Sequence, residues 1–421
     1  MKINVRDQFP GLLNRPDAIF LDGPAGTQVP QRVIDAMVRY LTHTNANHGG
    51  VFATSVESDR ILDDAHQAMA DFLNAPSPQE IIFGNNMTSL AFQLSRSVAK
   101  VLKPGDEVMV TRLDHDANVT PWVLAARDAG ATVRWIDIHR EDCTLDLDSF
   151  RKQLSDKTKW VAAGMAANGM GTINDVATIT REAKRAGATV FLDAVHYAPH
   201  GPIDVQALGC DFLACSAYKF FGPHVGVLWG KRALLESLPC YKVRPSSNEL
   251  PGKWMTGTPN HEGIAGVGAA IDYLASLAGR ASDGPADASL ARPANRRAEL
   301  KQAMAAIQQY EQTLSNHLLA GLAGRPRFRV WGVRDLHRLN ERVPTIAITC
   351  KDVSPLNLSQ YLADEQIYTW AGNMYAVEVC EQLGLEATGG IVRLGMVHYN
   401  TTREIDLVLR VLDEMPDRLD S

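Results

Sequence analysis

Seven short apolar, β-branched runs, mostly separated by helix-length amphipathic stretches, predict an α/β protein whose large domain is a mostly parallel seven-stranded sheet sandwiched by helices. A change of pattern near residue 280 predicts a small α+β domain beyond it. The runs are EIIF (80–83), EVMVTR (107–112), TVRWIDI (132–138), KWVAAG (159–164), TVFLD (189–193), FLACS (212–216) and VGVLWG (225–230). Near-continuous apolar strands of this kind suit a sheet buried on both faces. SLAFQLSRSVAKVL (89–102), PWVLAARDAG (121–130) and DVATITREAKRAG (175–187) supply helices between them. Only AYKFFGPH joins the last two runs, which is too short for a helical crossover, so an antiparallel edge is expected there.

The second domain follows GRASDGPADASLARPANRR (279–297), whose Ala, Ser, Asp, Pro and Gly content reads as a flexible insertion or lid. After it come a long helix (298–322), the strands RFRVWGV (327–333) and VPTIAITC (343–350), a helix from about 356 and a last helix near 402–414. The expected organisation is an N-terminal segment (1–24) packing on the small domain, a large domain (25–278), the insertion (279–297) and the small domain (298–421).

Composition narrows the function. A net charge of −6 argues against a basic nucleic-acid-binding surface. Six cysteines (Cys143, Cys210, Cys215, Cys240, Cys350 and Cys380) contain no CxxC pair, which fits a reducing compartment better than a disulfide framework or a zinc site. No metal site is expected. The start of the chain lacks the apolar run of a signal peptide, and no stretch approaches the ~20 apolar residues of a membrane span. The expectation is a soluble cytoplasmic enzyme that meets neither membrane nor nucleic acid.

Two residues carry the chemistry. Lys219 follows a buried strand and precedes aromatic residues and a Gly-Pro turn, an odd place for a solvated charge. Such a lysine can act as a Schiff-base nucleophile once desolvation lowers its pKa; a plain surface lysine at a strand end is the ordinary alternative. Asp193 ends the apolar strand TVFLD, where a carboxylate is costly unless paired. A protonated pyridine nitrogen is one natural partner, and a helix N-cap role is the other reading. The two lie 26 residues apart, one crossover and one strand, which brings both to the same edge of one sheet.

With these residues, the chain resembles the class V aminotransferase group of fold-type-I pyridoxal 5′-phosphate (PLP) enzymes, and within it the cysteine desulfurase and selenocysteine lyase branch. The resemblance runs from FLDGPAGTQVP (20–30) to VRLGMVHYNTTREID (392–406). It implies that Lys219 holds PLP as a Schiff base and shuttles protons, that Asp193 pairs with the pyridine nitrogen, and that His115 in LDHDANVTPW stacks on the ring. Asn168 in AANGMGT and His196 fall near the cofactor's phenolic oxygen, with His196 where family members often carry Gln. Asn86, Met87 (by its backbone N–H) and Thr88 in GNNMTS, with Ser216 and Tyr218, match the phosphate cradle. A histidine is usual in the desulfurases where Tyr218 stands. Thr258 in GTPN matches a segment that reaches the phosphate from a second subunit, implying a homodimer with shared active sites. Arg393 stands where the substrate α-carboxylate is bound, and His48 in NANHGG matches a histidine near the substrate.

The pattern breaks at IYTWAGNMYAVEVC (367–380). Desulfurases attack the substrate sulfur with a mobile-loop cysteine, but here Tyr375 takes the cysteine's place and Trp370 that of an arginine before it. Cys380 lies five residues further on and reads as a buried thiol rather than a displaced nucleophile. The resemblance thus implies an enzyme acting on a small L-amino acid through a Schiff base and a Cα carbanion, cleaving a Cβ–S, Cβ–Se or Cβ–C bond without a protein persulfide. A class V aminotransferase or an epimerase of the isopenicillin-epimerase kind is the alternative, with Tyr375, Trp370, Asn373 and His48 as residues that choose between these fates.

Overall fold

In the run TVFLD, Val190 and Leu192 enter one hydrophobic core and Phe191 enters another on the opposite side of the sheet. The same split holds for Val161 and Ala163 against Trp160 and Ala162, and for Leu213 and Cys215 against Phe212 and Ala214. Period-two side-chain direction turns each unbroken apolar run into two buried faces. The computed structural model describes residues 4–278 and 295–416. Most of the expected insertion, 279–294, lies outside the described residues; Arg296 and Arg297 already belong to the long helix that follows.

Besides a short hairpin of Ile138–His139 with Thr144–Leu145, the strands are β1 (Ile19–Phe20), β2 (Ile81–Gly84), β3 (Glu107–Thr111), β4 (Thr132–Ile136), β5 (Thr158–Gly164), β6 (Thr189–Asp193), β7 (Phe212–Ser216), β8 (Gly226–Gly230), β9 (Phe328–Trp331), β10 (Thr345–Cys350), β11 (Ile367–Tyr368), β12 (Trp370–Gly372) and β13 (Ile391–Gly395). The principal helices are α1 (Gln31–Arg39), α2 (Ala53–Leu73), α3 (Met87–Ala99), α4 (Thr120–Ala129), α5 (Val176–Arg185), α6 (His261–Ser276), α7 (Arg296–Ala323), α8 (Pro355–Asp364), α9 (Val377–Gln382) and α10 (Thr402–Glu414).

The large sheet has seven strands in the order β2-β8-β7-β6-β5-β3-β4. β8 runs antiparallel to both neighbours, and the pairs from β7 to β4 are parallel. The antiparallel strand is therefore interior, not the expected edge; β2 forms that edge. The reason lies in Gly226, at whose position a Cβ would meet the backbone of Asn86 at 2.3 Å, so a glycine lets the chain leaving β2 close directly over β8. Helices α3 and α4 cover one face and α2, α5 and α6 the other.

The small sheet, β9-β10-β13-β12, is antiparallel throughout and packs its inner face on Leu314, Leu318 and Leu322 of α7, Leu358 and Leu362 of α8 and Ile405 and Val408 of α10. Thr401 and Glu404 form a capping box that starts α10. Near the N-terminus, β1 pairs in parallel with β11, Leu21 accepts from the Gly395 N–H, and Arg6 bonds Glu404 at 2.7 Å. Among the described residues no helix is long and apolar enough to cross a membrane.

Candidate active site

The carboxyl ends of parallel strands are where an open α/β sheet leaves room for a ligand, because the chain there departs to opposite faces. Here the turns after β2, β3, β5, β6 and β7 enclose a cavity of about 950 Å³, and the small sheet and the segment 370–375 close its far side. Of the residues the sequence points to, Asn86, Met87, Thr88, His115, Asn168, Asp193, His196, Ser216, Tyr218, Lys219, Tyr375 and Arg393 all line it. Two do not. His48 is exposed beside His261, and the exposed Thr258 lines a neighbouring cavity that meets the first along Asn85, Ser89, Phe92 and His224.

Strand register places the charged centre. Asp193 ends β6 opposite Gly164 of β5 and Ala214 of β7. Its Oδ1 accepts the Val195 N–H at 2.8 Å, yet burial still raises its pKa to about 6, against the lowering effect of that bond and of Lys219. Lys219 leaves the turn after β7 and donates from Nζ to the Pro24 carbonyl. Burial pulls it down to about 7, Arg393 adds to the shift, and Asp193 opposes it. Near neutral pH a large fraction of this amine is therefore unprotonated and nucleophilic. The turn is held from behind by Thr27, whose hydroxyl accepts the Phe221 N–H at 2.8 Å and donates to the Tyr218 carbonyl at 3.2 Å.

His115 accepts the Ala117 N–H on Nδ1 at 3.0 Å, which fixes the ring; burial, then Lys219 and Arg393, lowers its pKa to about 4. His196 is buried, is pushed well below the usual imidazole range chiefly by burial, and leaves Nε2 without a hydrogen-bond partner among the described residues. Asn168 is fixed from both sides: its Nδ2 donates to the Met374 carbonyl at 2.7 Å, and its own carbonyl accepts from Arg393 Nη1 at 2.9 Å. Its Oδ1 is likewise unpartnered. Arg393 is buried on β13 with its pKa lowered to about 10 by burial, opposed first by Tyr218 and then by the Asp22 carboxylate.

At the opposite wall, Asn86 caps α3 by accepting the Ser89 N–H at 2.8 Å, and the Met87 N–H donates to Ser216 Oγ at 3.0 Å. The helix N-terminus and a hydroxyl thus meet at one spot, an arrangement suited to an anion. Tyr218 stacks on His224 at 4.9 Å.

Sequence reasoning missed Asp114 and His224, which line the cavity, and Asp22, which neighbours Arg393. Asp114 is buried; its Oδ2 accepts the Gly164 N–H at 2.9 Å and Asn118 Nδ2 at 2.7 Å, while Oδ1 is unpartnered. Burial, then the Asp193 charge, raises it to about 7. Its position next to His115 in the motif was the one available signal.

None of the six cysteines lines the cavity. Cys380 is buried on α9 with its thiol pushed up to about 12 by burial, and Tyr375 stands at the mouth.

A family model, "Aminotransferase class-V", matches residues 19–297 and 298–408. The chain belongs to this family. Class-V aminotransferases use PLP and act on amino-acid substrates. Among curated relatives, the chain is 32% identical to a "Probable cysteine desulfurase" of Streptomyces coelicolor, covering 98% of this chain and 96% of the relative. It is also 32% identical to the "Aminotransferase-like protein FGM3" of Gibberella zeae, over 97% of each. Two solved structures share the fold: the apo cysteine desulfurase of Thermococcus onnurineus (TM-score 0.84, 25% identity) and the Escherichia coli cysteine desulfurase CsdA (TM-score 0.82, 26% identity), each covering 97% of this chain and 96% of the other.

Proposed function

We propose that the chain is a PLP-dependent, cysteine desulfurase-like enzyme that acts on an L-amino acid and breaks a Cβ–S, Cβ–Se or Cβ–C bond without a protein persulfide. The observation that carries this is the convergence of Lys219, lowered to about 7, buried Asp193 and buried Arg393 on one cavity. The residues present fit the cofactor. The unpartnered His196 Nε2, the buried carboxylate of Asp193 and the α3 N-terminus beside Ser216 answer to its polar groups, and Asn168 Nδ2 keeps a second N–H to donate.

In this reading Lys219 holds the cofactor and then carries the proton at the substrate Cα. Asp193 would hold a proton on the ring nitrogen, and His115 would pack against the cofactor. His196 and Asn168 orient the phenolic oxygen, and Asn86, Met87, Thr88, Ser216 and Tyr218 hold the phosphate, joined by Thr258 of a second copy in a homodimer. Arg393 grips the substrate α-carboxylate with its planar guanidinium. When bound, PLP supplies an electron sink beside Cα. The buried, high-pKa Cys380 and the phenol of Tyr375 at the mouth support release of the β-substituent without a cysteine carrier. Tyr375 also supports a second reading, an aminotransferase or epimerase that retains the β-substituent.

PLP-loaded protein incubated with L-cysteine and excess thiol reductant is expected to release alanine and sulfide together, an external thiol taking the sulfane sulfur and a second thiol reducing it to sulfide with formation of a disulfide, and Cys380→Ser is expected to keep that release. Loss of both products in Cys380→Ser overturns the persulfide-free route. Neither product from the parent, with exchange of the α-proton for solvent deuterium, selects the second reading.

A further inference from the structure

Three features of the cavity mouth point the same way. Tyr375 and Met374 both hold φ near +58°, a left-handed conformation that is costly for residues with side chains. The surroundings enforce it. The Tyr375 carbonyl accepts the Asp116 N–H at 2.8 Å, its N–H donates to Asn373 Oδ1 at 3.0 Å, and Asn373 Nδ2 donates to Glu386 at 3.0 Å. The phenol ring so presented lies nearly parallel to His115, 5.3 Å away, while 70% of the residue stays exposed. Strain held over two adjacent residues, one of them an exposed aromatic at a cavity mouth, points to a function.

Trp370 supplies a second aromatic surface. On β12 it is the register partner of Arg393 on β13, so the two side chains emerge on the same face of the small sheet, within direct cross-strand reach. Both line the cavity, yet Arg393 is buried and Trp370 is 53% exposed. The Trp370 side chain is therefore on the sheet face from which Arg393 would hold a carboxylate, within reach of a substituent on the neighbouring Cα. Phe92 lines the same cavity. The volume of about 950 Å³ is at the top of the range for sites that enclose a drug-sized ligand, more than a cofactor and a three-carbon amino acid need.

We infer that Trp370 and Tyr375 form an aromatic clamp that selects an amino acid whose side chain carries a ring or comparable apolar group beyond Cβ, in preference to cysteine or alanine. The inference rests on the proposed cofactor and on Arg393 as carboxylate anchor, and is independent of which bond breaks. Two aromatic contacts together are worth about fivefold to a hundredfold in affinity, with about tenfold as a central value.

The test titrates PLP-loaded full-length protein with L-phenylalanine, L-alanine and L-cysteine, reading both the visible absorbance of the bound cofactor and intrinsic tryptophan fluorescence. L-Phenylalanine is expected to bind about tenfold more tightly than L-alanine and to quench fluorescence that disappears in Trp370→Phe. Trp370→Phe is expected to retain most of the preference, and Trp370→Ala combined with Tyr375→Ala to reduce it below about threefold. Equal or tighter binding of L-alanine or L-cysteine overturns the inference. So does a double alanine variant that keeps the full preference. A parent protein that shows no visible absorbance of lysine-bound cofactor before any amino acid is added defeats the underlying reading, and this inference with it.

Discussion

The floor and the mouth of the cavity are built by different means. The floor, with Lys219, Asp193, His115 and Asn168, is set by the ends of parallel strands whose register and two-sided burial leave little freedom. The mouth, with Trp370, Asn373, Met374 and Tyr375, comes from a three-residue edge strand and a strained turn pinned by a few hydrogen bonds. Rigid strand ends suit chemistry common to many substrates, whereas an exposed turn can change its side chains without disturbing a core. Trp370 and Tyr375, two of the residues at which the resemblance breaks, sit at the mouth, while His196 and Tyr218 lie deeper in the cavity.

Substitutions on the floor should therefore cost most. Lys219→Ala is expected to lower turnover by ~10³-fold or more while cofactor still binds non-covalently; near-normal turnover in a single-turnover assay would contradict it. Asp193→Asn removes the charge but keeps the shape, and a loss of ~10²–10³ in kcat is expected with little change in folded secondary structure. Arg393→Lys trades a planar fork for a point charge, so KM for amino acids should rise ~10-fold or more while kcat changes less.

The pH dependence sharpens the contrast. With Lys219 lowered to about 7, capture of free cofactor by the apo-protein should accelerate as pH rises and level off above about pH 7, read by stopped-flow absorbance. Asp114 behaves in the opposite sense. Its folded-state pKa is raised to about 7, so its favourable contribution is complete below about pH 4 and is lost progressively as pH rises from about 4 through 7. Asp114→Asn, which mimics the neutral acid, should come nearest the parent below about pH 4 and gain on it steadily up to about pH 7, exceeding it by a few kcal/mol at about pH 8, measured by thermal unfolding.

The same division governs what the sequence disclosed. The seven strands were legible because period-two burial on both faces produces unbroken apolar runs, and Lys219 and Asp193 were legible as charges at the ends of such runs. The interior place of β8 was not, since it depends on β2, distant in the chain, returning over Gly226. Asp114 and Asp22 owe their perturbation to burial and to neighbours brought up by long-range folding, which no local pattern encodes. Tyr375 was visible as a departure from a resemblance, but its left-handed backbone and its stack on His115 were not. His48 and Thr258 remain outside the cavity of a single chain, which leaves their proposed roles to a second copy or to none.

The central claim is that Lys219 is the lysine that carries the cofactor. Reduction of PLP-loaded protein with borohydride followed by peptide mapping tests it directly. The expected result is one pyridoxyl group on the peptide containing Lys219. A label on another lysine, or none on a protein that has taken up cofactor, would contradict it.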